Sequence, residues 1–300
     1  MTTTTRKEHL DGVAVASLLL CTLLWGLGQV AAKVAVAELP PLSQAALRSL
    51  GAAVLVGLWS RSRGIALFGL DCSLPGGLLA GLLFAAEFAC IFIGLQYTTA
   101  SRMIVFIYLS PFVVALGMPF IARSERLSPP QMLGLLLAFA GVAWAFAEGF
   151  HKPAAGDRQW FGDALGVLGA VLWGATTLTI RGSRLAVASA EKTLFYQLAV
   201  SGVALAAAAL VVGEAWPAHA SLLAWNAFAF QTVIVSFASY LLWFWLVRHY
   251  PATRLSSFTL LTPLFGLLFG VLLLSEPATT RLLIALAAVA LGIVLVNRRG

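Results

Sequence analysis

The chain has 300 residues, 60% of them hydrophobic and only 10% charged, with 19 Lys and Arg against 12 Asp and Glu for a formal charge of +7. A soluble domain carries roughly 25% charged residues, and no core of this size hides so much apolar surface, so an ordinary water-soluble globule is excluded and lipid is the solvent. The positive charges are scattered over short connections rather than clustered, so no nucleic-acid partner is expected.

A helix needs about 20 apolar residues to cross a hydrocarbon core about 30 Å thick. Charges, prolines and polar turns mark off ten such runs: 13–37, 42–60, 74–95, 101–121, 131–147, 161–181, 190–213, 222–247, 255–274 and 281–296. Continuous apolar runs exclude a barrel of alternating ten-residue strands. The expected fold class is an all-α polytopic membrane protein with ten transmembrane helices. Arg6, Lys7 and Ala35-Val36-Ala37 give the first run some look of a signal peptide. It is too long for one, and nine more runs follow. Cys21, Cys72 and Cys90 are odd in number and irregular in spacing, so they read as small apolar residues, with neither a disulfide nor a metal site.

The polar residues of these runs are the candidates for function. In the first run Trp25, Gln29 and Lys33 are spaced i, i+4, i+8 and share one helix face. Trp173, Thr177 and Arg181 keep that spacing in the sixth. Both tryptophans fall near mid-membrane, where they either line a cavity or pack beside Gly26 and Gly174. Trp59, Trp160, Trp216 and Trp225 lie near run ends and suit the interfacial belt. Lys33 and Arg181 lie about 12 Å beyond their tryptophans, within reach of the headgroups by snorkelling. Glu87 is the only carboxylate well inside a run. A bare charge there is costly, so it handles an ion or proton in a cavity or hydrogen-bonds a neighbouring helix. Pro111 and Pro263 deprive Ile107 and Thr259 of their helical donors, which predicts kinks that are either hinges or static bends. Gly77/Gly81, Gly162/Gly166 and Gly266/Gly270 predict close helix packing.

An internal repeat organises the whole. Leu24-Trp25-Gly26 aligns with Leu172-Trp173-Gly174, and Lys33 with Arg181. Residues 100–111, ASRMIVFIYLSP, align without a gap with residues 252–263, ATRLSSFTLLTP. The two halves, 1–150 and 151–300, thus hold five helices each. Five is odd, so the second half enters the membrane from the opposite side, giving an inverted repeat with a site near the midplane. With a cytoplasmic N-terminus, one side holds Arg6, Lys7, Arg61, Arg63, Arg123, Arg126, Arg181, Arg184, Lys192, Arg248, Arg254, Arg298 and Arg299. The other holds Lys33, Arg48, Arg102, Lys152, Arg158 and Arg281. This bias of 13 to 6 predicts both termini in the cytoplasm.

The Leu-Trp-Gly and Lys33 that open the first half, and the closing pattern Ala100-Ser101-Arg102, Leu109-Ser110-Pro111, Glu125-Arg126, Gln131-Met132-Leu133-Gly134 and Ala140-Gly141-Val142, resemble the EamA unit of the drug/metabolite transporter superfamily. The second copy departs from it with Glu276-Pro277 in place of Glu-Arg. Length, layout and aromatic content are similar to YddG-type exporters of aromatic amino acids. The resemblance implies a cavity lined by helices 1–4 and 6–9, with helices 5 and 10 peripheral, and export from the cytoplasm. In the small-multidrug branch an essential glutamate sits on the first helix. Gln29 stands in that helix here, so its proton coupling does not transfer directly.

No Gly-rich phosphate loop with a lysine is present, so no ATP-driven pump is expected. His9, His151, His219 and His249 fall in loops or the terminal segment, where no catalytic triad or metal cluster can assemble inside the membrane. Neither an enzyme nor a cofactor is expected. The reading is a secondary transporter in a bacterial-type inner membrane, exporting aromatic or large apolar amino acids or similar amphipathic metabolites. A broad drug or nucleotide-sugar-like carrier and a passive channel are the alternatives. Its partners are the small-molecule substrate, the bilayer and, left open, a second copy in a homodimer. Trp25, Tyr108, Trp173 and Tyr240 would supply apolar walls, Gln29, Thr177 and Gln231 hydrogen bonds to the head group, and Glu87 a charged member of the site.

Overall fold

The computed structural model describes residues 11–69, 71–121, 129–151, 155–250, 258–259 and 261–297. Regular structure among them is helical throughout. The first three spans are α1 (Gly12–Val36), α2 (Pro41–Ser62) and α3 (Leu74–Tyr97). The fourth is broken into α4 (Ala100–Ile107) and α5 (Ser110–Ile121). Next come α6 (Pro129–His151), α7 (Gln159–Arg181) and α8 (Ala190–Val212). The eighth span joins α9 (Leu222–Ala229), a π-helix (Phe230–Ser239) and α10 (Tyr240–His249). The last two are α11 (Leu261–Leu274) and α12 (Thr280–Asn297). Among the described residues seven spans are long and apolar enough to cross a membrane on their own, and Pro129–Ala145, Leu261–Leu274 and Thr280–Leu295 are shorter apolar helices. Together they form the ten expected helices.

Local chemistry explains where the helices begin and break. Pro41 opens α2, where its missing N–H costs nothing. Carboxylates from distant connections then receive amides at helix starts. Glu214 accepts from the Leu42 and Ser43 N–H groups at 2.9 and 2.7 Å, Glu276 from Ala100 and Ser101 at 2.7 and 2.9 Å, and Glu38 from Ser221 at 2.6 Å. A negative group suits the positive end of a helix dipole. The Ser221 hydroxyl and amide also hold the Glu38 carboxyl below the usual carboxylate range. The fourth span breaks at Tyr108–Leu109, where Pro111 cannot donate to Ile107 and the chain tightens through Leu109 N–H to Phe106 and Phe112 N–H to Leu109. Its counterpart Pro263 lies in α11, and the stretch just before it, where the matching bend is expected, includes residues outside the described ones.

Packing expresses the inverted repeat. A Cβ on Gly26 of α1 would lie 2.8 Å from the Gly266 amide of α11, and one on Gly174 of α7 would lie 2.5 Å from Val113 of α5. The first span therefore packs on the ninth as the sixth packs on the fourth. Gly77 and Gly81 of α3 admit Tyr196 and Val200 of α8, and Gly162 and Gly166 of α7 admit Thr98, Met103 and Phe106. Gly266 admits Ile104, and Gly270 admits Ser101. The fifth and tenth spans pair through Gly134 against Gly292 and Gly141 against Ala288, away from the cavity described below. Trp59, Trp160, Trp216 and Trp225 are exposed near span ends.

Candidate functional site

A cavity of about 230 Å³ lies in the middle of the bundle. Its walls come from the first four spans and from the sixth to ninth, with no residue from α6 or α12. Seven of the residues singled out from sequence line it: Trp25, Gln29, Glu87, Tyr108, Trp173, Gln231 and Tyr240. Thr177 does not. Its hydroxyl donates to the Trp173 carbonyl at 3.1 Å, the back-bond a helical threonine makes when nothing better is within reach.

The two tryptophans combine the roles that the sequence left open. Trp25 lines the cavity while Gly26 beside it packs on α11, and Trp173 does so while Gly174 packs on α5. The Trp25 indole N–H donates to Ser239 Oγ at 2.9 Å, and its ring meets Trp243 and Tyr240 edge-on at 5.3 and 6.4 Å. Trp173 meets Tyr108 edge-on at 5.7 Å. Such edge contacts fix ring orientation. Gln231 is buried and bonds back to Ala227 at 3.3 Å from within the π-helix.

Sequence reasoning missed Arg48. It was counted among the charges of one membrane side, yet it stands inside α2, is 3% exposed and lines the cavity. Its Nη1 donates to Ser236 Oγ at 2.9 Å, and its guanidinium carbon lies 3.9 Å from the Phe88 ring centre. Gln197, Trp243 and Thr262 are further polar or aromatic wall residues that the pattern did not single out. The available signal was a lone arginine within an apolar run, which reads equally well as a snorkelling side chain.

A second polar cluster ties the bundle together at the end holding the α3–α4 turn. Lys33 does not snorkel to headgroups. Its ammonium donates to the Leu95 carbonyl and to the Thr98 carbonyl at 2.7 Å, closing the C-terminal end of α3. The Thr98 hydroxyl donates to Asp163 at 2.6 Å. Arg102 grips Asp163 with Nε at 3.1 Å and Nη2 at 2.6 Å, and reaches Glu148 and the Ala145 carbonyl. Thr279 completes the set by donating to Glu148 at 2.8 Å. Arg181, by contrast, is exposed at the end of α7.

The chain resembles known proteins over nearly its full length. At 28% identity over 285 residues it is similar to the "Uncharacterized transporter YvbV" of Bacillus subtilis, covering 92% of this chain and 89% of that one. At 29% over 294 residues it is similar to the "Uncharacterized transporter sll0355" of Synechocystis, covering 92% and 87%. An "Uncharacterized transporter" of Archaeoglobus fulgidus is 28% identical over 261 residues, covering 86% and 88%. A protein of known crystal structure, 18% identical, shares the fold at a TM-score of 0.65 over 95% of this chain and 97% of that chain. The EamA-like transporter family model matches twice, at residues 12–147 and 160–298, and on this evidence the chain belongs to the EamA-like transporter family.

Proposed function

We propose that this transporter exports amino acids with aromatic or large apolar side chains, or amphipathic metabolites of similar shape, across the inner membrane by alternating access, with both termini in the cytoplasm. The observation that carries this reading is the central cavity, into which each half places the indole of its own Trp-Gly pair. Drug-sized ligands occupy pockets of roughly 300–1,000 Å³. A volume of about 230 Å³ favours a metabolite of amino-acid size. The edge-packed rings of Trp25, Trp173, Tyr108 and Tyr240 favour a flat or branched apolar group. Charge placement supports the orientation, and the inverted packing of spans one on nine and six on four supports two mirrored states of one fold.

Counterflow tests the reading. Proteoliposomes preloaded with phenylalanine should accumulate labelled phenylalanine faster than empty ones, and unlabelled tryptophan or leucine outside should compete better than alanine. Equal uptake with and without preloading would point to a channel. A reporter fused after Gly300 that proves periplasmic would overturn the orientation.

A further inference from the structure

Among the described residues two arginines, Arg48 and Arg102, are buried in the bundle, and they differ in one respect. Arg102 presents the parallel N–H bonds of Nε and Nη2 to the carboxylate of Asp163, the planar fork that matches two oxygens at once. Arg48 uses Nη1 on Ser236, and its Nε and Nη2, also buried, have no hydrogen-bond partner in the protein. The guanidinium carbon sits over the Phe88 ring at 3.9 Å, which braces the group and leaves Nε and Nη2 for a ligand. Tyr240, from the eighth span, lies within hydrogen-bonding reach of the same guanidinium, and Glu87 attracts it as the opposite charge.

The residue before Phe88 is Glu87. It is 4% exposed, lines the same cavity, and its Oε2 likewise has no hydrogen-bond partner. A buried acid and a buried base in one cavity, each with unsatisfied atoms, call for a ligand that carries both complementary charges.

We infer that Arg48 and Glu87 form a head-group site for the zwitterion of an α-amino acid, Arg48 taking the carboxylate through Nε and Nη2 and Glu87 taking the ammonium. This rests on reading the central cavity as the substrate site. A zwitterion adds no net charge to the low-dielectric cavity and satisfies both residues. A carboxylate alone leaves Glu87 unmatched, and an amine alone leaves Arg48 unmatched. Sites built around buried polar groups reject ligands that lack a partner far more strongly than apolar pockets reject a missing methylene. The glutamine and threonine positions expected from sequence to meet the head group are then secondary to this pair.

The test is titration calorimetry on the detergent-purified full chain with phenylalanine, alanine, 3-phenylpropionate and phenethylamine. Phenylalanine should bind, and the last two, which each lack one charge, should bind on the order of 10²-fold more weakly. Arg48→Lys keeps a charge but loses the planar fork, and should weaken phenylalanine at least tenfold while its melting temperature without ligand stays near that of the wild type. Glu87→Gln should narrow the gap between phenylalanine and 3-phenylpropionate. Either truncated compound binding within threefold of phenylalanine would overturn the head-group site and leave the aromatic cavity standing. Alanine binding as well as phenylalanine does would support the head-group site and sink the aromatic reading. Absence of binding by all four would overturn both.

Discussion

Glu276 Oε1 accepts the Ala100 N–H at 2.7 Å while its Oε2 takes the N–H and the hydroxyl of Ser101, so a carboxylate of the second half closes the start of a helix in the first. Charge-assisted bonds of this kind contribute about 1.5–3 kcal/mol each when buried. Glu276→Ala should therefore lower the melting temperature of the purified protein by several degrees. Glu276→Gln, which retains one acceptor, should fall between the two. A melting temperature for the alanine variant within one degree of the wild type would show that the tie does not hold the halves together.

Trp25→Ala and Trp173→Ala should each weaken transport of aromatic substrates several-fold more than transport of alanine or threonine, because each removes one ring from the wall. Counterflow rates normalised to protein in the membrane measure this. An equal loss for every substrate, accompanied by less protein, would assign both rings to packing.

The break at Pro111 gives a kinetic expectation. Pro111→Ala restores a donor for the Ile107 carbonyl and stiffens the fourth span. If the break serves as a hinge, the maximal exchange rate should fall two- to tenfold with KM little changed. A rise in KM with an unchanged maximal rate would mark it as a static bend that shapes the wall at Tyr108.

The Lys192 ammonium donates to Asp71 at 2.6 Å, and this bond, with those from Ser73, holds the Asp71 carboxyl below the usual carboxylate range. A depressed pKa stabilises the fold above the unfolded value of about 3.9 and is lost as pH falls through the folded one. Asp71→Asn should thus lower the melting temperature at pH 7, and the offset should shrink progressively as pH falls below about 4. Because the carboxylate is exposed, added salt should also shrink it. An offset that persists unchanged at acid pH would mean that the amide disturbs the turn by its shape.

The span positions were readable because the bilayer demands an uninterrupted apolar run, and the repeat because Trp-Gly recurs in register. Trp25 and Trp173, which line the cavity, stood out because an indole far from either interface needs another explanation. Arg48, Asp163 and Lys33 were not readable. Each sits in a run whose neighbours are apolar, and its meaning depends on a partner distant in sequence: Ser236 is 188 positions from Arg48, and Asp163 is 61 from Arg102. A charge count assigns Lys33 and Arg48 to one membrane side and leaves Asp163 out, whereas all three lie within the bundle and bond to groups on other helices or turns. Thr177 differs in the opposite sense: its spacing from Trp173 suggests a place in the wall, yet its hydroxyl bonds to the Trp173 carbonyl.

The π-helix at Phe230–Ser239 has a geometric consequence for the eighth span. On a straight α-helix, at about 100° per residue, Gln231 and Tyr240 would point in nearly opposite directions. With i→i+5 bonding the turn is wider, and positions four, five and nine residues on return to the same side. That brings Gln231, Val235 and Tyr240 onto the cavity and Ser236 onto Arg48. A periodicity search tuned to 3.6 residues therefore finds no polar stripe in this span, although one exists. Removing one residue outside the wall, such as the exposed Val233, would tighten the coil, swing Tyr240 and Trp243 relative to Trp25, and undo the binding wall without changing the identity of any residue in it.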